Sequence, residues 1–273
     1  ADAYNVAVGT SAGATINTGT NNVLLGTSAG QRMTSAVKNV AVGNLALDHL
    51  TNADFNVAVG HEALTADTLG SKSTAIGYQA LLAQTYGTTA TDSHNTAVGH
   101  QAGAAITSGV QNTIIGSLAG DATSDADGNV AVGYAALTTN VLGSDSVAIG
   151  KNALNVQNPT TATNMNNVAV GKNTGEAVTT GTGNTLIGAL AADALTTGTD
   201  NVAVGRAALG ADTLGRRSVA IGVNALSSQN FTTTVSSYNV SIGYEAAVNM
   251  TTGQRNIAIG AFTLDADTLG QRS

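Results

Sequence analysis

The chain repeats one short pattern of apolar and polar positions from end to end. The core of the pattern is Asn-Val-Ala-Val-Gly and its variants. Its glycine falls at Gly9, Gly26, Gly43, Gly60, Gly77, Gly99, Gly116, Gly133, Gly150, Gly171, Gly188, Gly205, Gly222, Gly243 and Gly260. Successive glycines are 17 residues apart, except after Gly77, Gly150 and Gly222, where the step is 22, 21 and 21. Repeats of this length indicate stacked supersecondary units.

One residue before the glycine stands Val, Ile or Leu (Val8, Leu25, Ile76, Ile259), and three before it Val, Ile or Thr. β-Branched residues at two-residue spacing predict a short strand with that face packed inside. The residue between them is usually Ala, while Leu24, Ile114 and Leu186 are bulky. It is expected on the opposite face, where a small residue lets another sheet or chain approach closely. Four residues before the glycine, twelve units carry Asn and three carry Ser (Ser73, Ser146, Ser218). A polar residue at fixed phase predicts a ladder of stacked side chains bonded along the axis. The glycine ends the strand where the chain needs positive φ or lacks room for a Cβ. A segment such as His61-Glu62-Ala63-Leu64 then bends back with one Ala inward, and a turn rich in Thr, Gly, Asn and Asp leads to the next unit. A strand, a turn and a return in about 17 residues make one coil of a parallel β-solenoid, or β-roll, with coils stacked at roughly 4.8 Å. The fold class is all-β, and residues 1–273 read as a single repeat domain of fifteen coils.

A slower period overlies the coil. Asp67-Thr68-Leu69-Gly70 has counterparts at 140–143, 212–215 and 267–270. Each of the first three precedes a Ser-type strand and then a long unit, giving a super-repeat of 72–73 residues. The long units carry insertions at 84–95, 156–167 and 229–239.

Composition narrows the function. Aromatic residues are 3 % and charged residues 10 %, so the interior must be built from Ala, Val, Ile and Leu in thin layers. A thin coil without cysteine staples buries little per residue against more than about 1 kcal/mol of ordering entropy per residue. Association with sister chains into a closed homotrimer is therefore expected. The net charge of −7 is spread along the chain without a basic block, which argues against nucleic-acid binding. No apolar run approaches the roughly 20 residues of a membrane span. No signal peptide is visible, and because the chain opens within the repeat pattern it is expected to be a piece of a longer protein.

Chemistry-bearing residues are sparse. The residue after the glycine varies (His61, Tyr78, His100, Tyr134, Lys151, Lys172, Arg206, Tyr244) and reads as a solvated column. The insertions hold Tyr86, His94, Phe231 and Tyr238, which are the candidate receptor contacts or inter-chain packing residues, because binding concentrates in loops on a rigid scaffold. Asp121, Asp125, Asp127 and Gly128 share one turn, but their spacing is not that of a calcium loop. Asp92, Ser93 and His94 are adjacent, whereas a catalytic triad is assembled from distant positions. No catalytic, cofactor-binding or metal residue is expected, and the chain does not read as an enzyme. An ice-binding solenoid would carry a regular Thr-x-Thr column, and the threonines here cluster in turns.

The Ser-Val-Ala-Ile-Gly units at 146–150 and 218–222 resemble the head repeats of trimeric autotransporter adhesins. The longer unit at 95–102, with a Thr-Thr-Gly turn at 179–181 and 251–253, is similar to repeats of phage tail-fibre proteins. The resemblance implies a left-handed parallel β-roll of three intertwined chains, extracellular, on a virion tail fibre or a bacterial surface. It also implies host-surface glycan or protein as partner and no cofactor.

Overall fold

The computed structural model describes residues 3–272. The chain divides into two compact units, one running to Ala131 and one starting at Val132. Both are parallel β-solenoids, and among the described residues there is no helix.

In the first unit the strands Val6–Val8, Val23–Leu25, Val40–Val42, Val57–Val59, Thr74–Ile76, Thr96–Val98 and Thr113–Ile115 pair in chain order. In the second, Val147–Ile149, Val168–Val170, Thr185–Ile187, Val202–Val204, Val219–Ile221, Val240–Ile242 and Ile257–Ile259 do the same. Every pair is parallel and in register with the repeat, so Val202 lies beside Val219 and Ala203 beside Ala220. The strand Val130–Val132 spans the boundary between the units. The 17-residue step is thus one coil.

The facing of the strand is the reverse of the sequence expectation. Away from the first strand, the central residue is the buried one: Ala41, Ala58, Ala75, Ala148, Ala203 and Ala220 are fully enclosed, as are Leu24, Ile114 and Leu186. The flanking Val, Thr and Ile side chains point outward, with Ile187 40 % exposed. The reason is width. The coil interior must also take the Ala three residues after the glycine and the Leu four after it, such as Ala63 and Leu64, both fully buried. Opposite these, one methyl group is all the strand can contribute.

The repeat glycines adopt φ between +124° and +142°, a region close to glycine-only for steric reasons. They also stack. A Cβ on Gly205 would sit 2.5 Å from the carbonyl oxygen of Gly222, one coil on. After each glycine the second and fourth residues are left-handed, as Glu62 and Leu64 are at φ 57° and 52°. This turns successive peptides in opposite directions. The Glu62 N–H donates back to Asn44 (2.9 Å), and the Leu64 N–H donates forward to Ala80 (2.9 Å). Each non-glycine residue held so costs about 1 kcal/mol, offset by the inter-coil hydrogen bonds.

Candidate functional site

Three side-chain arrangements recur with the coil, and they are the features that could act. The first is the Asn column, which is buried and bonded as expected. Asn22 Oδ1 accepts the backbone N–H of Asn39 (2.9 Å), and Asn39 Oδ1 accepts that of Asn56 (2.9 Å). Asn39 Nδ2 donates to the Ala53 carbonyl at 2.9 Å. Asn167, Asn184 and Asn201 repeat the scheme in the second unit. The ladder fixes coil register from inside.

The second arrangement explains the super-repeat. Where the ladder carries Ser, a buried polar cluster takes over. Gly70 N–H donates to Asp67 Oδ1 (2.8 Å), Gln84 Nε2 donates to Asp67 Oδ2 (2.6 Å), and Asn95 Nδ2 donates to Gln84 Oε1 (2.9 Å). The Ser73 and Ser93 hydroxyls bond each other. The same set returns as Asp212, Gly215, Ser218, Gln229, Ser237 and Asn239. The middle copy uses Asn140, whose amide bonds both the N–H and the carbonyl of Gly143. Burial raises the pKa of Asp67 and Asp212 above the ordinary 3.8, against the opposing effect of their hydrogen bonds. Each insertion adds a two-residue parallel pairing beside its cluster, Gly70–Ser71 with Thr91–Asp92, Gly143–Ser144 with Thr163–Asn164, and Gly215–Arg216 with Val235–Ser236.

The third arrangement is the outward ribbon. In the second unit Ile149, Val170, Ile187, Val204, Ile221, Ile242 and Ile259 form one file, and Val147, Val168, Thr185, Val202, Val219, Val240 and Ile257 a parallel one. The files contain no charged residue. The first unit carries the same two files from Val6 and Val8 to Thr113 and Ile115.

The four insertion residues separate by position. Tyr86 and Phe231, each nine residues after a repeat glycine, turn inward. Phe231 is 3 % exposed. The half-buried Tyr86 donates its hydroxyl to the Gly109 carbonyl at 3.0 Å, and burial raises its pKa. His94 and Tyr238 are exposed, each five residues before a glycine and each left-handed. Asp92 pairs with Lys72 (2.5 Å) and Ser93 with Ser73, so neither is directed at His94. In the acidic turn, Asp125 accepts from Thr107 (2.7 Å) and Ser108 (2.8 Å), which lower its pKa, and Asp127 accepts the Val110 N–H. Among the described residues no three His, Asp or Glu side chains are grouped to hold a metal ion.

The column after the glycine is exposed and partly self-stacked. Tyr78 lies between His61 and His100 at ring separations of 5.6 and 5.1 Å, and the Lys151 ammonium sits over Tyr134. Sequence reasoning did not reveal the polar cluster, whose side-chain to side-chain bonds join residues 11 to 20 apart. Comparison with protein-family models, curated proteins and solved structures found no match.

Proposed function

We propose that the chain is the structural segment of an extracellular fibre, a shaft or head of a phage or phage-like tail fibre that positions or contributes to host-surface attachment. Three copies associate through their apolar ribbons. The observation that carries this reading is the pair of uncharged files, mostly Val and Ile with some Thr, on the outer face of each unit. A regular apolar sheet face left to solvent is a standing association surface, and the coil interior behind it is too thin to hold further side chains. The resemblance to fibre and adhesin repeats supports three as the number of copies. His94 and Tyr238 remain as candidate receptor contacts because both stand exposed on rigid backbone.

The alternative is a bacterial surface adhesin of the trimeric autotransporter type, which the Val-Ala-Ile-Gly units equally resemble. The full reading frame distinguishes them. A self-cleaving chaperone domain downstream, or tail and baseplate genes alongside, is the expected result. A C-terminal membrane barrel would overturn the phage reading in favour of the adhesin.

A further inference from the structure

Half of the ten Lys and Arg residues occupy one position of the coil, five residues before the repeat glycine or its equivalent: Lys38, Lys72, Arg217, Arg255 and Arg272. In the second unit they form a line with Tyr238. Arg217, Tyr238, Arg255 and Arg272 stand in successive coils, all exposed and all left-handed at φ 60°, 52°, 60° and 63°. Their backbones are pinned to the preceding coil: the Arg217 N–H donates to Thr199, that of Arg255 to Ser237 and that of Arg272 to Gln254, at 3.1, 2.8 and 3.2 Å. The anchor points therefore follow one another at roughly the inter-strand spacing of 4.8 Å.

Arg217 is partly engaged. It lies 3.7 Å from Asp200, donates to the Tyr238 hydroxyl at 3.0 Å and sits over that ring at 5.8 Å. The hydrogen bond from Arg217 lowers the Tyr238 pKa. Among the described residues no carboxylate lies within 4 Å of the Arg255 or Arg272 guanidinium. The flanking residues Thr199, Ser236, Gln254 and Gln271 are neutral hydrogen-bonding groups that reach the surface. In a protein of net charge −7, this is a local line of positive charge. The first unit is the internal contrast: Lys72 is paired with Asp92 at 2.5 Å, and Lys38 is turned over Phe55 at 5.1 Å.

We infer that the Arg217–Tyr238–Arg255–Arg272 ladder is a binding site for a linear anionic polysaccharide, with guanidinium groups on its carboxylates and the tyrosine ring against a sugar face. Guanidinium matches carboxylate bidentately. A ladder one residue wide fits a single extended chain, and the neutral flanks suit sugar hydroxyls. Nucleic acid is disfavoured because its phosphate density calls for a broader basic patch. The ladder lies within one chain, so it stands independently of the assembly proposed above.

The test is calorimetric titration of the full chain with alginate oligosaccharides, a linear polyuronate, at low and high salt. Neutral dextran and oligo-dT serve as comparison polymers. The variant is R255Q/R272Q, chosen because Gln111 occupies the same coil position with φ 60°. Circular dichroism and light scattering of the variant check fold and assembly separately. Alginate should bind, weaken with salt, and lose affinity about tenfold or more in the variant. Dextran should not bind, and K38Q/K72Q should bind alginate as the parent does. Absence of alginate binding, equal affinity in R255Q/R272Q, or oligo-dT binding as tight as alginate would each overturn the inference.

Discussion

Leu186 fills the space that a side chain on Gly175 would need. A Cβ on Gly175 would fall 2.7 Å from Leu186 Cδ1. The same exchange links Leu24 to Gly13 and Gly30, at 2.8 and 2.9 Å, and Ile114 to Gly120 at 3.1 Å. Coils with Ala at the strand centre instead mostly carry Leu four residues after the glycine, as Ala58 and Leu64 do. Interior volume is therefore shared between the strand centre and the fourth residue after the glycine, within one coil for Ile114 and Gly120 and between neighbouring coils for Leu186 and Gly175.

That relationship is testable by exchange. L186A leaves a cavity and should cost about 2–5 kcal/mol in urea denaturation. G175L alone should overpack. The double variant should recover much of the loss, because a left-handed Leu already occurs at the equivalent Leu154. Strictly additive single effects would contradict the shared-volume account.

The repeat glycines should be intolerant for two reasons at once, conformation and stacking. G205A should destabilise by more than about 3 kcal/mol, since its Cβ would strike the Gly222 carbonyl. G87A is the control. Gly87 also has positive φ, 61°, but nothing lies within 4 Å of its Cβ direction. It should cost only about 1 kcal/mol. Equal losses would show that backbone conformation alone accounts for the column.

The buried carboxyls make stability pH-dependent. Burial raises the folded-state pKa of Asp67 and Asp212, so folding favours their protonated forms. Their contribution is fully present below the ordinary 3.8 and is lost as pH rises through the folded value. D67N and D212N remove this dependence. Asn140 shows how an amide fits: its Nδ2 turns to the Gly143 carbonyl, while Gln157 Nε2 donates to Ser146 at 3.1 Å. The variants should melt higher than the parent at neutral pH and lose that advantage below pH 3.8. A parent more stable than both variants at neutral pH would show that the carboxylates are held ionised.

The ribbon should tolerate charge within a coil but not between copies. I187K and V204K place lysine on the outward face, where neither side chain is enclosed. Each should leave the circular dichroism spectrum unchanged and reduce the assembly toward single chains. Unfolding of the coil would contradict the outward facing of these residues.

The coil period, the parallel stacking and the Asn ladder were legible because each rests on residues at one fixed phase. Facing was not. A three-residue strand offers only two choices, and β-branched residues ordinarily win the interior. Here a 17-residue coil leaves room for a methyl group at the strand centre, so Ala turns inward. The sequence did carry the signal, because Leu24 is followed by Gly30 and Ile114 by Gly120. The super-repeat was visible in Asp67, Ser73 and the insertion at 84–95, but its purpose depends on contacts between coils. Tyr86 and Phe231 share one offset from their glycines and His94 and Tyr238 another, and only the second offset faces solvent.

The most direct test of the fibre account is the mass of the intact chain in solution by light scattering, read together with its circular dichroism. The account expects three times the 26.9 kDa of one chain, at a concentration where the β-spectrum is fully developed. A folded, thermally stable species of 26.9 kDa would show that the apolar ribbons need no partner, and would contradict it.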